Sequence, residues 1–576
     1  MPVERRTNSI FKNGLIDTLE VDSVPRGAAS SSLNWLTKGD RIELRRGSKI
    51  LGATEQSGAG KITGLKKCTS AIDVEILFRT RGQKLEYLDR AAVDWTENGS
   101  NLLGSDVVDA NGVGSEDISM EEYVGLAGNQ MFVNSPKRAG FFKIMTANPG
   151  SSSNEYLNTK NYKGNIKIDT NRTFLWDRKN SGSPAAGDET SIYMSYIDTQ
   201  TYTTVTAEAF GTGDGTTKQF TGTAAFKAAG ARRTCFGVSA TDSTETFTDD
   251  NNGYLVGSAG GTGTINYTSG AIVLNFFAAP TNLQAITISY QWEDSTTNGI
   301  CDFTSSATRT AGQGDAFLQA EGGAKMMAMG TYQNIYYCMH LKKTWELSIT
   351  NTDTNSSNLP YGDNVGIPSK KAKIETGKGI YYIDNTNENE PRIRLLTYDP
   401  NGNAKIVPVS VSDNIDLNDY RFDDSAGIRY GDLILFSCRT KNSTYNNRVL
   451  TFNLLWESWD ILDYRASIFE IYDGSLKAGD SLSNNVYTLF SGRADGDSLI
   501  SNYWISGNDL LDIQGLKQSR QFKLRGLIEI NQNIRVYLSV DNGSFIETNP
   551  DGGSIPAIQG TGAYVDKSQS VAVGAL

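Results

Sequence analysis

One histidine stands in 576 residues, His340. A serine–histidine–aspartate relay or a histidine-rich metal site would have to be built around that single imidazole. It falls at a strand end beside a hairpin turn, so a structural role is expected. Cysteine is scarce as well. Cys68, Cys235, Cys301, Cys338 and Cys438 stand far apart, odd in number and without a CxxC pair, which excludes the common zinc spacings and argues against a disulfide framework. They are expected as buried thiols acting as small apolar residues. No apolar run of about 18 residues occurs. The opening MPVERRTNSIFKNG carries charge where an export signal needs an apolar centre, so a soluble chain made in a cytoplasm is expected. Positive charge is in deficit: 54 Lys and Arg against 65 Asp and Glu leave a formal charge of −11. That balance opposes wrapping of a duplex, and it suits a surface that nucleic acid must pass without sticking.

What is abundant points to strands. Glycine reaches 58 residues and aromatics 10%, while charged residues make up only 21%. With Ser, Thr, Asn and Asp dense between apolar runs, this is the mixture that short strands and polar turns require, an all-β composition. The length exceeds what one core sustains, roughly 250 to 300 residues, so at least two domains are expected.

Asn334 to Thr350, NIYYCMHLKKTWELSIT, reads as a hairpin with a two-residue period, and Ile335, Tyr337, Trp345 and Leu347 are assigned to one packed face of a half-buried sheet. Similar hairpins recur at VEILFR…KLEYL, QMFV…GFFKI around Ser135-Pro136, TFLWD…TSIYMSYI around a Ser181–Pro184 loop, GIYYID…RIRLLTY and DLILFSC…RVLTFNLL, with NVYTLF after them. Taking one anchor in each, Leu77, Met131, Phe174, Ile335, Ile380, Leu433 and Val486, the spacing runs from 43 to 66 residues once a differently textured stretch of 95 residues, 203–297, is set aside. That interval is near the roughly 40 to 50 residues of a four-stranded propeller blade. The fold expected is an all-β propeller of six to eight blades, with the first and last strands closing the ring together; a string of separate sandwich domains is the alternative. The 203–297 stretch, Thr-rich with Asp-Gly and Asn-Gly turns, reads as an inserted small β-sandwich whose ends, Thr203 and Asn298, lie close together. Around these, 1–60 is an N-terminal arm with first strands, 61–202 and 298–515 carry the blades, and 516–548 is a β segment turning at Asp541 to Gly543. Residues 549–576 read as a flexible C-terminal arm.

Few residues invite chemistry. The acidic doublets Asp423-Asp424, Glu121-Glu122 and Asp249-Asp250 read as solvated turn charge, since neighbours on a strand face opposite ways and make poor catalytic pairs. Asp249 to Asn252 lacks the spaced ligands of a calcium loop, and Gly257 to Gly263 lacks the lysine and helix of a phosphate loop. No metal, cofactor or catalytic group is called for, and no enzyme is expected. Trp456, Trp459 and Trp504, near Tyr464 and Tyr503, are candidates for stacking on sugar rings; packing between blades is the simpler reading.

Near the N-terminus the layout Gly14-Leu15, Val24-Pro25, Gly27-Ala28, Leu33-Asn34, the turn Lys38-Gly39-Asp40 and Leu44-Arg45-Arg46-Gly47 resembles the opening of bacteriophage tail proteins of the nozzle, or tail-tube-B, type. Pro25, Gly27, Asn34, Gly39, Arg45 and Gly47 carry the likeness; Arg46 stands where many such proteins have proline. Two readings of the arginines stay open, a solvated strand end or a fork pairing with carboxylates of a neighbouring element or subunit. Residues 263–276, G-x-I-N-Y-x-x-G-A-I-x-L-x-F, resemble a β-module inserted in assorted phage tail and baseplate proteins. The first resemblance implies a β-propeller virion protein that assembles with itself into a ring, a hexamer. It also implies a continued DNA ejection channel, contacts with adaptor and fibre proteins, and a place in the phage tail. The alternative is a receptor- or glycan-binding tail protein reaching the host surface.

Overall fold

The computed structural model describes residues 13–19, 23–25, 28–39, 41–52, 60–69, 74–89, 93–98, 103, 117–126, 128–134, 141–145, 155–157, 163–169, 172–179, 192–195, 201–226, 233–294, 300, 325–348, 357–363, 365–384, 390–409, 412–496 and 498–506, with short strands between 522 and 569. Gly27, Asp40, Asn298, Cys301, the Ser135-Pro136 turn, the Ser181–Pro184 loop and Asp541 to Gly543 lie outside them. The chain divides into two compact units, 1–508 and 509–576.

Among the described residues of the first unit, alternating apolar and β-branched runs broken by Gly and Asn turns fold as seven antiparallel meanders. The first joins Ile62–Thr69, Glu75–Arg81, Lys84–Asp89 and Asp94–Glu97; the second Ser119–Gly125, Gly128–Asn134, Phe141–Met145 and Glu155–Leu157; the third Lys163–Asp169, Arg172–Lys179 and Ile192–Met194. The fourth joins Met326–Tyr332, Ile335–His340, Lys343–Ser348 and Ser357–Asp363; the fifth Lys373–Thr376, Gly379–Asp384, Arg392–Tyr398 and Ala404–Pro408. The sixth joins Gly427–Tyr430, Leu433–Thr440, Arg448–Asn453 and Ser458–Leu462, with Tyr420–Arg421 added on Leu433–Thr440. The seventh takes Ile468–Tyr472, Ser475–Gly479 and Val486–Leu489, then completes itself with Ser48–Ile50, Tyr487 opposite Ile50. One sheet thus joins the two ends of the unit.

The first strands of these sheets follow one another round a ring. Neighbours touch from the seventh to the first, second and third, and from the fourth to the fifth, sixth and seventh. Lys167 of the third sheet donates to Thr331 Oγ1 of the fourth at 2.6 Å, which completes the circle. Six of the seven anchors lie on the second strand of their sheet; Val486 lies on the third of its own.

Burial on both faces corrects the half-buried reading of residues 334–350. Ile335–His340 is covered by the third sheet on the side of Tyr336 and Cys338 and by the fifth on the side of Tyr337 and Met339. Register decides the rest: Tyr336 pairs with Leu347 and Cys338 with Trp345, so the last two share the opposite face from Ile335 and Tyr337. Apolar runs such as GIYYID, buried at every position, follow from the same stacking of sheet on sheet.

Between Thr203 and Asp294 the structure forms one continuously hydrogen-bonded eight-stranded sheet rather than the two facing sheets of a sandwich. Thr203–Thr212 pairs Ala285–Asp294, which pairs Arg233–Thr241; the path continues through Thr246–Asp249, Tyr254–Gly257, Thr262–Ile265 and Ala271–Asn275 to Gln219–Thr223. A Cβ on Gly211 of one edge strand would lie 3.2 Å from Phe220 of the other. The sheet therefore curls nearly closed round Phe247, Leu255, Leu274, Ile286 and Ile288. Thr203 is paired with Trp292, which brings the entering and leaving strands together.

In the second unit Phe522–Leu527 pairs Tyr564–Gln569, Asn533–Ile534 pairs Ile558–Gln559, and Tyr537–Leu538 pairs Ile546–Glu547. Two strands of the 549–576 tail are thus paired backbone where composition suggested a free arm. Backbone pairing needs no apolar side chains, which is why composition missed it.

Candidate functional site

The strands that line the ring's axis carry charge at inward positions, and a cavity of about 420 Å³ lies among them. Lys66, Glu121, Lys167, Lys373, Glu375 and Glu470 line it. The charges answer one another: Lys66 stands 3.8 Å from Glu121, Lys167 3.0 Å and Lys373 2.5 Å from Glu375. Burial alone would raise the Glu375 carboxyl, but the two ammonium groups outweigh it and hold it at about 2. Glu470 is pushed up by burial, with Lys66 opposing.

A second layer closes the end at which the chain enters these strands. Lys61, Asp117, Lys371, Asp424 and Ser467 each stand just before the first strand of sheets one, two, five, six and seven. Lys371 Nζ donates to Asp117 Oδ1 at 2.9 Å, Asp424 Oδ1 at 3.2 Å and the Ser467 carbonyl at 2.8 Å. Lys61 reaches Asp424 at 3.1 Å and Asp117 at 3.9 Å. Burial would raise Asp117, yet the Lys371 and Lys61 charges hold it at about 2; burial would lower Lys371, yet Asp117 and Asp424 lift it above its ordinary range. The axis is therefore crossed by ion pairs, and its charges are compensated in place.

This network corrects the reading of the acidic doublets. Asp424 belongs to it, whereas Asp423 is exposed and clasps Arg439 at 2.8 Å. Glu121 and Glu122 lie within Ser119–Gly125, not in a turn: one faces the cavity, and the other accepts from the Thr69 amide at 2.7 Å. Asp249 and Asp250 cap their own turn, accepting from the amides of Asn251 and Asn252. Sequence reading missed Lys61, Asp117 and Lys371. The only signal was position, a charge just ahead of an inner strand, and it is invisible until the sheets are aligned.

The N-terminal motif residues meet along the sixth and seventh sheets. The Arg45 guanidinium is buried, with Nε on Asn34 Oδ1 at 2.7 Å and Nη1 on Asp495 Oδ1 at 3.0 Å. It also pairs with Asp463 and stacks 4.1 Å over the Tyr464 ring. Its carboxylate partners are thus elements of its own chain, while Arg46 is exposed. Asn34, in a left-handed turn at φ 65°, bonds the Ile461 carbonyl and, through Nδ2, the Ser501 carbonyl. A side chain on Gly47 would meet the Ala494 carbonyl at 1.8 Å, and one on Gly39 would meet the Trp456 ring at 2.9 Å. Pro25 is exposed and accepts from the Ala28 amide.

The three tryptophans do not form one surface. Trp459 is 1% exposed and packs 4.8 Å from Phe452, so it offers no face to a sugar. Trp504 is half-buried on Tyr503–Ser506, opposite Ser32. Trp456, 47% exposed, sits on the turn before Ser458–Leu462. His340 is buried at the end of its strand. Cys68, Cys235, Cys338 and Cys438 are buried, and burial pushes the Cys338 and Cys438 thiols up. In 263–276, Ile265, Tyr267, Ile272, Leu274 and Phe276 are buried, and the Tyr267 hydroxyl donates to Asp249 at 2.6 Å. Among the described residues no group of three or more His, Cys, Asp or Glu is placed to hold a metal.

No protein-family model matches the chain, and no curated protein matches it. Among solved structures it is similar to the Pan2 WD40 domain of Neurospora crassa, at 7% identity and TM-score 0.26, covering 66% of this chain and 90% of that one. It is also similar to the dihydro-heme d1 dehydrogenase NirN, at 8% identity and TM-score 0.22, covering 57% of this chain and 64% of that one. At such scores neither bears on function, and the fold rests on the strand pairing described above.

Proposed function

We propose that the first unit is a seven-bladed β-propeller and that the chain is a structural tail protein of the phage nozzle type. In this reading copies assemble into a ring, a hexamer by resemblance, that continues the DNA ejection channel and anchors adaptor and fibre proteins. The blade reading is supported by the circle of first strands and by Ser48–Ile50 completing the last sheet. The observation that carries the functional reading is the blocked axis. Lys371 bridges sheets two, six and seven from the fifth, so any conduit lies between copies and not through one. A chain with charge −11 would present such a conduit with little to hold a phosphate backbone. Role and location are of one kind: a virion component without catalysis.

Imaging and sedimentation of the purified full chain test this. A closed ring of copies with a central opening is expected; a chain that stays monomeric at all concentrations, or forms a trimer that binds glycan, would replace it with the receptor-binding reading. Of the three tryptophans only Trp456 is exposed enough to serve that alternative.

A further inference from the structure

The Trp35–Lys38 and Arg41–Leu44 hairpin lies beside Ser458–Leu462, the outer strand of the sixth sheet. Leu36 packs into the apolar cluster that holds Leu462, and the polar contact is made at Thr37. Asp460, 1% exposed in the middle of that strand, accepts from the Thr37 amide at 2.9 Å and from the Thr37 hydroxyl at 2.8 Å. Asn453 Nδ2 donates to the Thr37 carbonyl at 3.2 Å. Across the sheet Asp460 faces Thr451, whose buried hydroxyl has no hydrogen-bond partner.

The charged groups on the packed elements are committed elsewhere. Glu43 holds Lys38 at 2.6 Å and Arg41 at 3.0 Å on the open side of the hairpin. Arg45 belongs to Asp463 and Asp495. Arg448 bonds the Asn447 carbonyl at the far end of its strand, and Glu457 lies on the turn. A carboxylate enclosed with hydroxyls and amides alone is costly as an ion and acceptable as a neutral acid, whose proton the Thr37 hydroxyl, 2.8 Å away, accepts by turning from donor to acceptor.

We propose that this hairpin is a proton-latched strap, closed while Asp460 carries its proton and loosened when the carboxyl ionises. The electrostatics agree with the geometry: burial pushes Asp460 up from 3.8 to about 7, with the two Thr37 hydrogen bonds opposing. The folded value is raised, so the closed strap holds a proton that the open strap releases between those two values. Closure is fully supported below the lower value, weakens as pH rises through the window, and levels off above about 7. Arg45 stays charged across this window and anchors the C-terminal end of the strap, so opening is confined to the hairpin.

Hydrogen exchange on the full chain tests this between pH 5 and 7.5, each amide referred to its free-peptide rate at the same pH. In the wild type, protection over 35–44 is expected to fall by up to ~10-fold per pH unit below neutrality, while the fifth sheet stays constant. In Asp460→Asn the hairpin slope is expected to vanish. Equal slopes in the two proteins would overturn the proposal. Should the variant not fold, isotope-edited infrared titration of the wild-type aspartates decides: a buried neutral carboxyl ionising near 7 supports the latch, and its absence at pH 5 rules it out.

Discussion

Lys371 of the fifth sheet and Asp117 of the second face each other across the ring, with Nζ and Oδ1 2.9 Å apart. Two sheets that are not neighbours are joined by a single charged hydrogen bond, and Asp424 and Ser467 bring the sixth and seventh into the same knot. Such a tie holds the sheets at a fixed distance from the axis, which packing between adjacent sheets alone does not enforce.

Removing one member of that knot should therefore be worse than removing the pair. Lys371→Met is expected to destabilise the chain by about 3 kcal/mol, because Asp117 and Asp424 are left to share the single ammonium of Lys61. Lys371→Met with Asp117→Asn should recover part of that loss. Denaturant midpoints of the two variants check the order, and midpoints equal to the wild type's in both would show the knot to be inert.

The axial carboxylates set an acid limit. Asp117 and Glu375 are both held at about 2, below their ordinary values of 3.8 and 4.5. Lowered folded values mean that this stabilisation is fully present above about pH 5 and is lost as pH falls towards 2. Melting temperature is expected to drop steeply across that window and less steeply in Asp117→Asn. The sign is opposite to that of Asp460, so a stability profile separates the two effects.

Arg45 is expected not to tolerate lysine. An ammonium cannot fill the fork between Asn34, Asp463 and Asp495 while stacking on Tyr464, so Arg45→Lys should cost about 2 kcal/mol. Gly47→Ala should cost as much or more, since its methyl group would overlap the Ala494 carbonyl. Thermal unfolding measures both, and normal stability in either would show that the segment seats differently.

The tryptophans separate by burial. Trp459→Ala is expected to cost about 3 to 5 kcal/mol through the cavity it leaves. Trp456→Ala should cost little, and any glycan binding that disappears with it would favour the receptor reading. A glycan array on the folded variant supplies that comparison.

Excision of Thr203 to Thr297 with a short Gly-Ser join should leave the ring folded, because the entering and leaving strands pair with each other. A modest loss is expected where Gln130 Nε2 gives up its 2.9 Å bond to Glu293. Circular dichroism and solubility report the outcome, and an insoluble product would mean that the curled sheet is part of the ring's own core.

The sequence by itself determined what local chemistry determines. Two-residue alternation placed the strands of the hairpins, a change of texture falls at Thr203, where the eight-stranded sheet begins, and four of the scattered cysteines are buried. Tertiary structure alone decided which neighbour covers each face, since a strand's period says that faces alternate and not what lies against them. It put Trp345 on the opposite side from Tyr337, and it paired part of the tail. Arg45 and Asp463 are 418 positions apart, and Lys371 and Asp117 are 254 apart. No window along the chain contains both members of either pair; closing the ring is what makes them neighbours.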